Sequence, residues 1–197
     1  MINNKCGSLR LYTGPMYSGK TTSLLGELTI ALDNNKRPLV IKPLIDNRYS
    51  DEDIVSHDGV SVNHVTGVKV IRLPVNDIPN LDQIEGIDAL FIDEAQFFPN
   101  IGNAIDAYLE MGIDVVAVGL DMDSNGKPFG SMPYLLAKAN RVVKLSANCS
   151  VCGDTATRTY RKPGMAKDQV LIGGAETYEP RCLEHWSPRN ISIAPAA

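Results

Sequence analysis

Apolar residues fall along this chain in two alternating patterns. Short, nearly unbroken hydrophobic runs occupy positions 8–13, 38–44, 68–73, 87–92, 114–121 and 141–145. Runs of that length without a polar face predict strands buried on both sides, as in a parallel sheet covered by helices. Between them lie segments of helical period at 21–34, 99–111 and 132–139, the second carrying Ile101, Ile105, Tyr108 and Leu109 on one face. Pro99 suits the first turn of that second helix and Gly112 its end, while 78–84 reads as a loop and a short helix. Strands alternating with helices predict an α/β fold with a doubly wound, mostly parallel sheet over residues 1–145. No internal repeat or low-complexity segment interrupts it.

The pattern changes near Ser146. Cys149-Ser150-Val151-Cys152 and Cys182-Leu183-Glu184-His185 form two half-sites with residues 153–181 between them. Three thiols and an imidazole at this spacing suit a closed, tetrahedral, structural zinc site. The bland alternative is three buried thiols and an unrelated histidine. A small zinc-binding unit of the ribbon or lasso kind is therefore expected over 146–190, followed by a tail at 191–197. Between the half-sites, 159–169 reads as loop and 170–175 as a strand stopped by Gly173-Gly174. A long excursion rooted in a metal is suited to closing over a ligand. Cys6 has no evident partner.

Composition narrows the classes. With 197 residues, 44% hydrophobic and 21% charged, the chain has material for one ordinary domain and a small appendage. Its net charge of −4 argues against a nucleic-acid binder, although Arg158, Arg161 and Lys162 make a small basic patch. No run is long enough for a membrane span, and the polar start has no signal-peptide core. Four cysteines, three of them clustered late, do not make a disulfide framework, so a reducing, cytoplasmic setting is expected.

The strongest chemical signal is Gly14-Pro15-Met16-Tyr17-Ser18-Gly19-Lys20-Thr21, set between the first strand and the first helix. This spacing is that of a phosphate-binding loop, whose backbone amides and helix N-terminus surround phosphate oxygens. Lys20 can reach the β- and γ-phosphates and the Thr21 hydroxyl can ligate magnesium. Asp46 and Arg48 leave the second strand on the sheet edge where ligands collect; they read equally as magnesium or phosphate contacts and as a solvated loop. Asp93 and Glu94 end the fourth strand, where such enzymes place a magnesium carboxylate. Asp93 has that position. Glu94 must face elsewhere unless the strand has already broken, and two acids there can divide metal binding and proton transfer.

These stretches, with Asp46-Asn47-Arg48-Tyr49-Ser50, Asp93-Glu94-Ala95-Gln96-Phe97-Phe98, Lys127-Pro128-Phe129-Gly130, the two half-sites and Ile172-Gly173-Gly174-Ala175-Glu176-Thr177-Tyr178, occur in the order seen in one family. Over residues 8–186 the chain resembles the cytosolic, zinc-containing (type II) thymidine kinases. The resemblance implies transfer of the ATP γ-phosphate to the 5′-hydroxyl of thymidine, with deoxyuridine also accepted, for nucleotide salvage and DNA precursor synthesis. It implies Glu94 as general base, Lys20 and Arg48 as charge stabilisers, and Asp46 and Asp93 around magnesium, with Thr22 and Gln96 joining the 14–21 loop in the nucleotide site. Met16, Phe97, Leu120 and Phe129 would line the base slot, with Thr159 near the thymine methyl group. Val170, Leu171, Ile172 and Gly173 would supply backbone contacts and Tyr178 a contact to sugar or base. A homotetramer and feedback inhibition by thymidine triphosphate are implied as well. The chain departs from the family in having Ser124 where an aromatic residue is common, and His185 where some members have cysteine.

Two other classes compete. A nucleic-acid-dependent ATPase would need a basic face and further motifs that are missing here. A nucleotide-binding regulatory module would give Glu94 no task.

Overall fold

A computed structural model describes residues 5–45, 68–165 and 171–186. Its centre is a six-stranded sheet of β1 (Leu9–Thr13), β2 (Pro38–Pro43), β3 (Lys69–Leu73), β4 (Ala89–Ile92), β5 (Asp114–Gly119) and β6 (Arg141–Lys144). The spatial order is β3-β2-β4-β5-β1-β6, and every pairing is parallel. Helices α1 (Lys20–Asp33), α2 (Leu81–Ile84), α3 (Ile101–Glu110) and α4 (Met132–Lys138) fill the crossovers. The α/β architecture expected from the apolar runs is the one observed, with element ends shifted by a residue or two.

Why the runs are apolar throughout follows from the period of two along a strand. Leu9, Leu11, Leu39, Ile41, Leu90, Ile92, Val115 and Ala117 face one side, where α3 and α4 cover them with Ile101, Ile105, Tyr108, Met132 and Leu135. Val40, Phe91, Val116 and Val118 face the other, beneath Leu24, Leu25, Leu28 and Ala31 of α1. Burial of each large side chain of that helix face stabilises by about 1.5–3 kcal/mol. This packing holds the start of α1 rigidly against the sheet.

Register brings the functional ends together. Thr13, the last residue of β1, lies opposite Gly119 of β5, and Ile92, the last of β4, opposite Ala117. Two residues beyond Ile92 therefore reach the level at which β1 enters its glycine loop. Only β5 separates β1 from β4, a span of about 10 Å at ordinary strand spacing.

Beyond the sheet, β7 (Ala147–Asn148) pairs with β8 (Thr155–Ala156), and β9 (Arg158–Arg161) with β10 (Tyr178–Arg181), both antiparallel. Helix α5 (Leu183–Trp186) follows. Two expectations need correction. The segment from Thr159 is a strand and not a loop, since Thr159 and Tyr160 favour extended backbone and find β10 as a partner. The apolar stretch expected as a strand at 170–175 forms none at Leu171–Gly174; a turn follows it, held by Tyr178 N–H donating to Gly174 O at 2.9 Å. A Gly-Gly pair with no paired neighbour favours the turn. Pro99, expected inside the first turn of α3, precedes it by two residues.

Candidate active site

The glycine loop is shaped by conformations that only particular residues tolerate. Gly14 has φ +151°, and a Cβ there would sit 2.5 Å from Leu145 O. Gly19 has φ +78° and caps α1 without any side-chain hydrogen bond, and no acid occupies the helix's first turn. The first amides of α1 are thus left for an anion, with the helix dipole favouring negative charge there. Lys20 Nζ donates to Pro15 O at 2.6 Å, so its ammonium folds back along the loop. From the other side, Met16 N–H donates to the Thr159 hydroxyl at 3.0 Å, tying the loop to β9.

Across β5 stands Glu94. The strand ends at Ile92, Asp93 turns its carboxylate to accept from the Glu94 amide at 3.1 Å, and Glu94 takes a left-handed conformation (φ 50°, ψ 47°). That break in the strand answers the parity question left by the sequence. Asp93, 4% exposed, points into the protein, while Glu94 lines the same cleft as Lys20. Gln96, 3% exposed, fixes the Glu94 carboxylate through its amide N–H at 2.6 Å and accepts from Leu120 N–H at 3.0 Å. Gly130 makes room for this arrangement: a Cβ there would lie 2.0 Å from Gln96 O.

The cleft, together with the open solvent at its mouth, spans about 1020 Å³. One end is formed by Tyr17, Ser18, Gly19, Lys20, Thr21 and Thr22. The other end is largely apolar, with Met16, Phe97, Leu120 and Phe129, the two phenylalanine rings meeting edge to face at 5.6 Å. Thr159, Leu171, Ile172, Gly173 and Tyr178 close it. Tyr178 Oη donates to Leu171 O at 2.7 Å and so holds the backbone of the closing segment. Gly14 and Pro15 belong to the loop and Asp93 lies behind the cleft, so these three do not line it. Asp46, Arg48 and Val170 fall outside the described residues. Ser124, where the sequence departs from the expected aromatic residue, lines the cleft as well, and two further lining residues, Met122 and Arg161, were not expected from the sequence.

A pocket joining a phosphate-type loop to a largely apolar slot beside one carboxylate fits a kinase of a small aromatic alcohol. A sequence model of the thymidine kinase family matches residues 7–186. The chain belongs to the thymidine kinase family. The thymidine kinase of Thermococcus kodakarensis is 39% identical over 185 residues, which cover 91% of this chain and 93% of that protein. Membership in the thymidine kinase family makes the chain a nucleoside phosphotransferase.

Among the described residues, one group of metal-ligating side chains comes together in this thymidine kinase fold: Cys149, Cys152, Cys182 and His185, with ligand atoms all within 4.8 Å of one another. Cys152 Sγ lies 3.8 Å from Cys182 Sγ, and His185 Nδ1 lies 3.1 Å from Cys182 Sγ and 4.0 Å from Cys149 Sγ. A tetrahedral ion with bonds of about 2.3 Å to sulfur would set neighbouring sulfurs about 3.8 Å apart, so the cluster is compatible with zinc. Burial resists ionisation of the Cys149 thiol, but the amides of Cys182, Cys152 and Val151 outweigh it and bring it down to about 6. For Cys152 the Asp154 amide favours the thiolate, yet burial and the neighbouring thiols push it up to about 12. Thiolates crowded in this way need a cation to ionise together. Among the described residues no helix is long and apolar enough to cross a membrane.

Proposed function

We propose that this protein transfers the γ-phosphate of ATP to the 5′-hydroxyl of thymidine, releasing thymidine monophosphate and ADP, and that deoxyuridine is accepted in the same slot. The observation that carries this reading is that Lys20, the N-terminus of α1 and Glu94 line one cleft with the apolar side chains of Met16, Phe97, Leu120 and Phe129. The loop amides from Tyr17 to Thr22 bind the triphosphate. Lys20 exchanges the Pro15 carbonyl for phosphate oxygens and follows the charge that builds during transfer. Glu94, aimed by Gln96, takes the proton from the 5′-hydroxyl as its oxygen bonds to phosphorus and the bond to ADP breaks. Thr21 would hold magnesium, helped by Asp46 and, through water from behind the cleft, by Asp93; the ion would supply neutralisation of the phosphate oxygens. Arg48 would add positive charge from the same edge.

Thymine stacks among Met16, Phe97, Leu120 and Phe129, while the main chain of 171–173, braced by Tyr178, reads its edge. The Cys149, Cys152, Cys182 and His185 cluster would hold zinc with every position filled by protein, which makes the metal structural. Residues 146–190 then serve as a second, metal-tied unit that covers the nucleoside held by residues 1–145. Thymidine triphosphate carries both the base recognised by the slot and the anion held by the loop, which supports feedback inhibition at this cleft. A homotetramer in the cytoplasm completes the proposal.

Labelled ATP offered with a panel of nucleosides tests it: label is expected on thymidine and deoxyuridine. Hydrolysis stimulated only by DNA would favour the nucleic-acid-dependent ATPase instead. Gln96→Leu should remove the hydrogen bonds that Gln96 makes to Glu94 and to the Leu120 amide, lowering stability by about 1–3 kcal/mol in urea unfolding and kcat by up to about 10²-fold through misplacement of the base. Cys182→Ser should reduce bound zinc from stoichiometric to trace by mass spectrometry, with thymidine KM rising more than ATP KM. Unchanged zinc content would remove the metal site from the reading.

A further inference from the structure

The last residue of α5, Trp186, sits outside the cleft, yet it touches two of the cleft's walls. Its indole N–H is shared between Ser124 O at 3.2 Å and Thr159 O at 3.1 Å. Ser124 belongs to the turn after β5 and Thr159 to β9, segments far apart in sequence whose residues both line the slot. The turn is stiffened by the Asp123 carboxylate, which accepts from the amides of Asn125 and Lys127, each at 2.9 Å. It rests on the indole so closely that a Cβ on Gly126 would lie 2.8 Å from ring atom Cη2. The guanidinium of Arg158 covers the ring, 5.8 Å from its centroid.

Trp186 is also the immediate neighbour of His185, and its own N–H donates to Cys182 O at 2.9 Å. Its position is therefore set by the turn that carries two of the four metal-ligating side chains. Resting on the function proposed above, we infer that Trp186 is a positioning residue: it clamps the Ser124 and Thr159 walls at one separation and ties that separation to the Cys/His cluster. Slot width then depends on an indole that never touches the substrate. The effect falls on nucleoside binding, because the two carbonyls held by Trp186 belong to residues that line the slot.

Trp186→Phe keeps an aromatic ring against Gly126 but supplies no N–H to the two carbonyls. Losing both hydrogen bonds is expected to raise thymidine KM about tenfold, with kcat and ATP KM near their wild-type values. Trp186 is the chain's single tryptophan, so the wild-type protein reports on the clamp directly. Saturating thymidine should shift its emission, and removal of bound metal by a chelator should shift it to the red. A variant whose kcat falls while both KM values rise together has lost general integrity, and that result overturns the clamp. So does wild-type emission unmoved by both thymidine and chelation, a measurement that needs no variant to fold. A wild-type protein that shifts its emission with thymidine but phosphorylates none supports the clamp and overturns the kinase reading; silence in both assays overturns the two together.

Discussion

Glu94→Gln is expected to lower kcat about 10³-fold while ATP KM stays near its wild-type value, a loss of about 4 kcal/mol in transition-state stabilisation. The amide keeps the shape of the carboxylate and its contact with Gln96, so the cleft should hold both substrates. What it lacks is a site for the proton of the attacking hydroxyl. The left-handed turn at Glu94 is what presents this group to the cleft (φ 50°); had β4 continued, the side chain would have joined one of the two buried faces. Initial rates at saturating ATP and thymidine measure the effect, and isothermal titration checks that both still bind. A variant with wild-type kcat would show that Glu94 is not the base.

Lys20→Met should act differently. Removing the ammonium while retaining the aliphatic stem costs charge stabilisation worth about 10²–10³-fold in kcat, and ATP affinity should fall with it. The two variants separate the roles. Glu94→Gln harms only the step that engages the acceptor, whereas Lys20→Met also harms occupation of the loop. Comparison of ATP binding between them, by titration without thymidine, gives the distinction: weaker for Lys20→Met, unchanged for Glu94→Gln. Equal ATP binding in both would take Lys20 out of the phosphate site.

Much of the site was legible because its chemistry imposes local spacing. The loop from Gly14 to Thr21 needs glycines at fixed offsets, and the two Cys/His half-sites need ligands within one turn of chain. Both demands are met by neighbours in sequence. The sheet was legible as a class for a related reason: strands buried on both faces have no polar positions, and these runs have almost none. The strand order was not legible, since β1 lies between β5 and β6 through contacts that no local pattern encodes.

The missed residues fail on the same principle. Arg161 lines the cleft because β9 is a strand and Thr159 and Arg161, two apart, share a face. Read as loop, the segment offered no such parity, and its partner β10 lies beyond the Lys162-Pro163-Gly164 turn and residues outside the description. Met122 follows β5 at the ligand edge, and the rule that ligands gather beyond strand ends would have pointed to it. Its polar, turn-forming neighbours Asp121 and Asp123 masked that signal. Glu94 was singled out in the sequence, but its direction was undecidable from alternation alone until the end of β4 was known.

One measurement bears most directly on the claim that the loop delivers its triphosphate to a hydroxyl at Glu94. The wild-type enzyme is given γ-labelled ATP with thymidine or with 5′-deoxythymidine, and the label is followed into nucleotide and into free phosphate. The account predicts label on the 5′-oxygen of thymidine, and 5′-deoxythymidine that competes for the slot yet receives none. Label transferred to 5′-deoxythymidine, or recovered only as free phosphate with thymidine present, would contradict it.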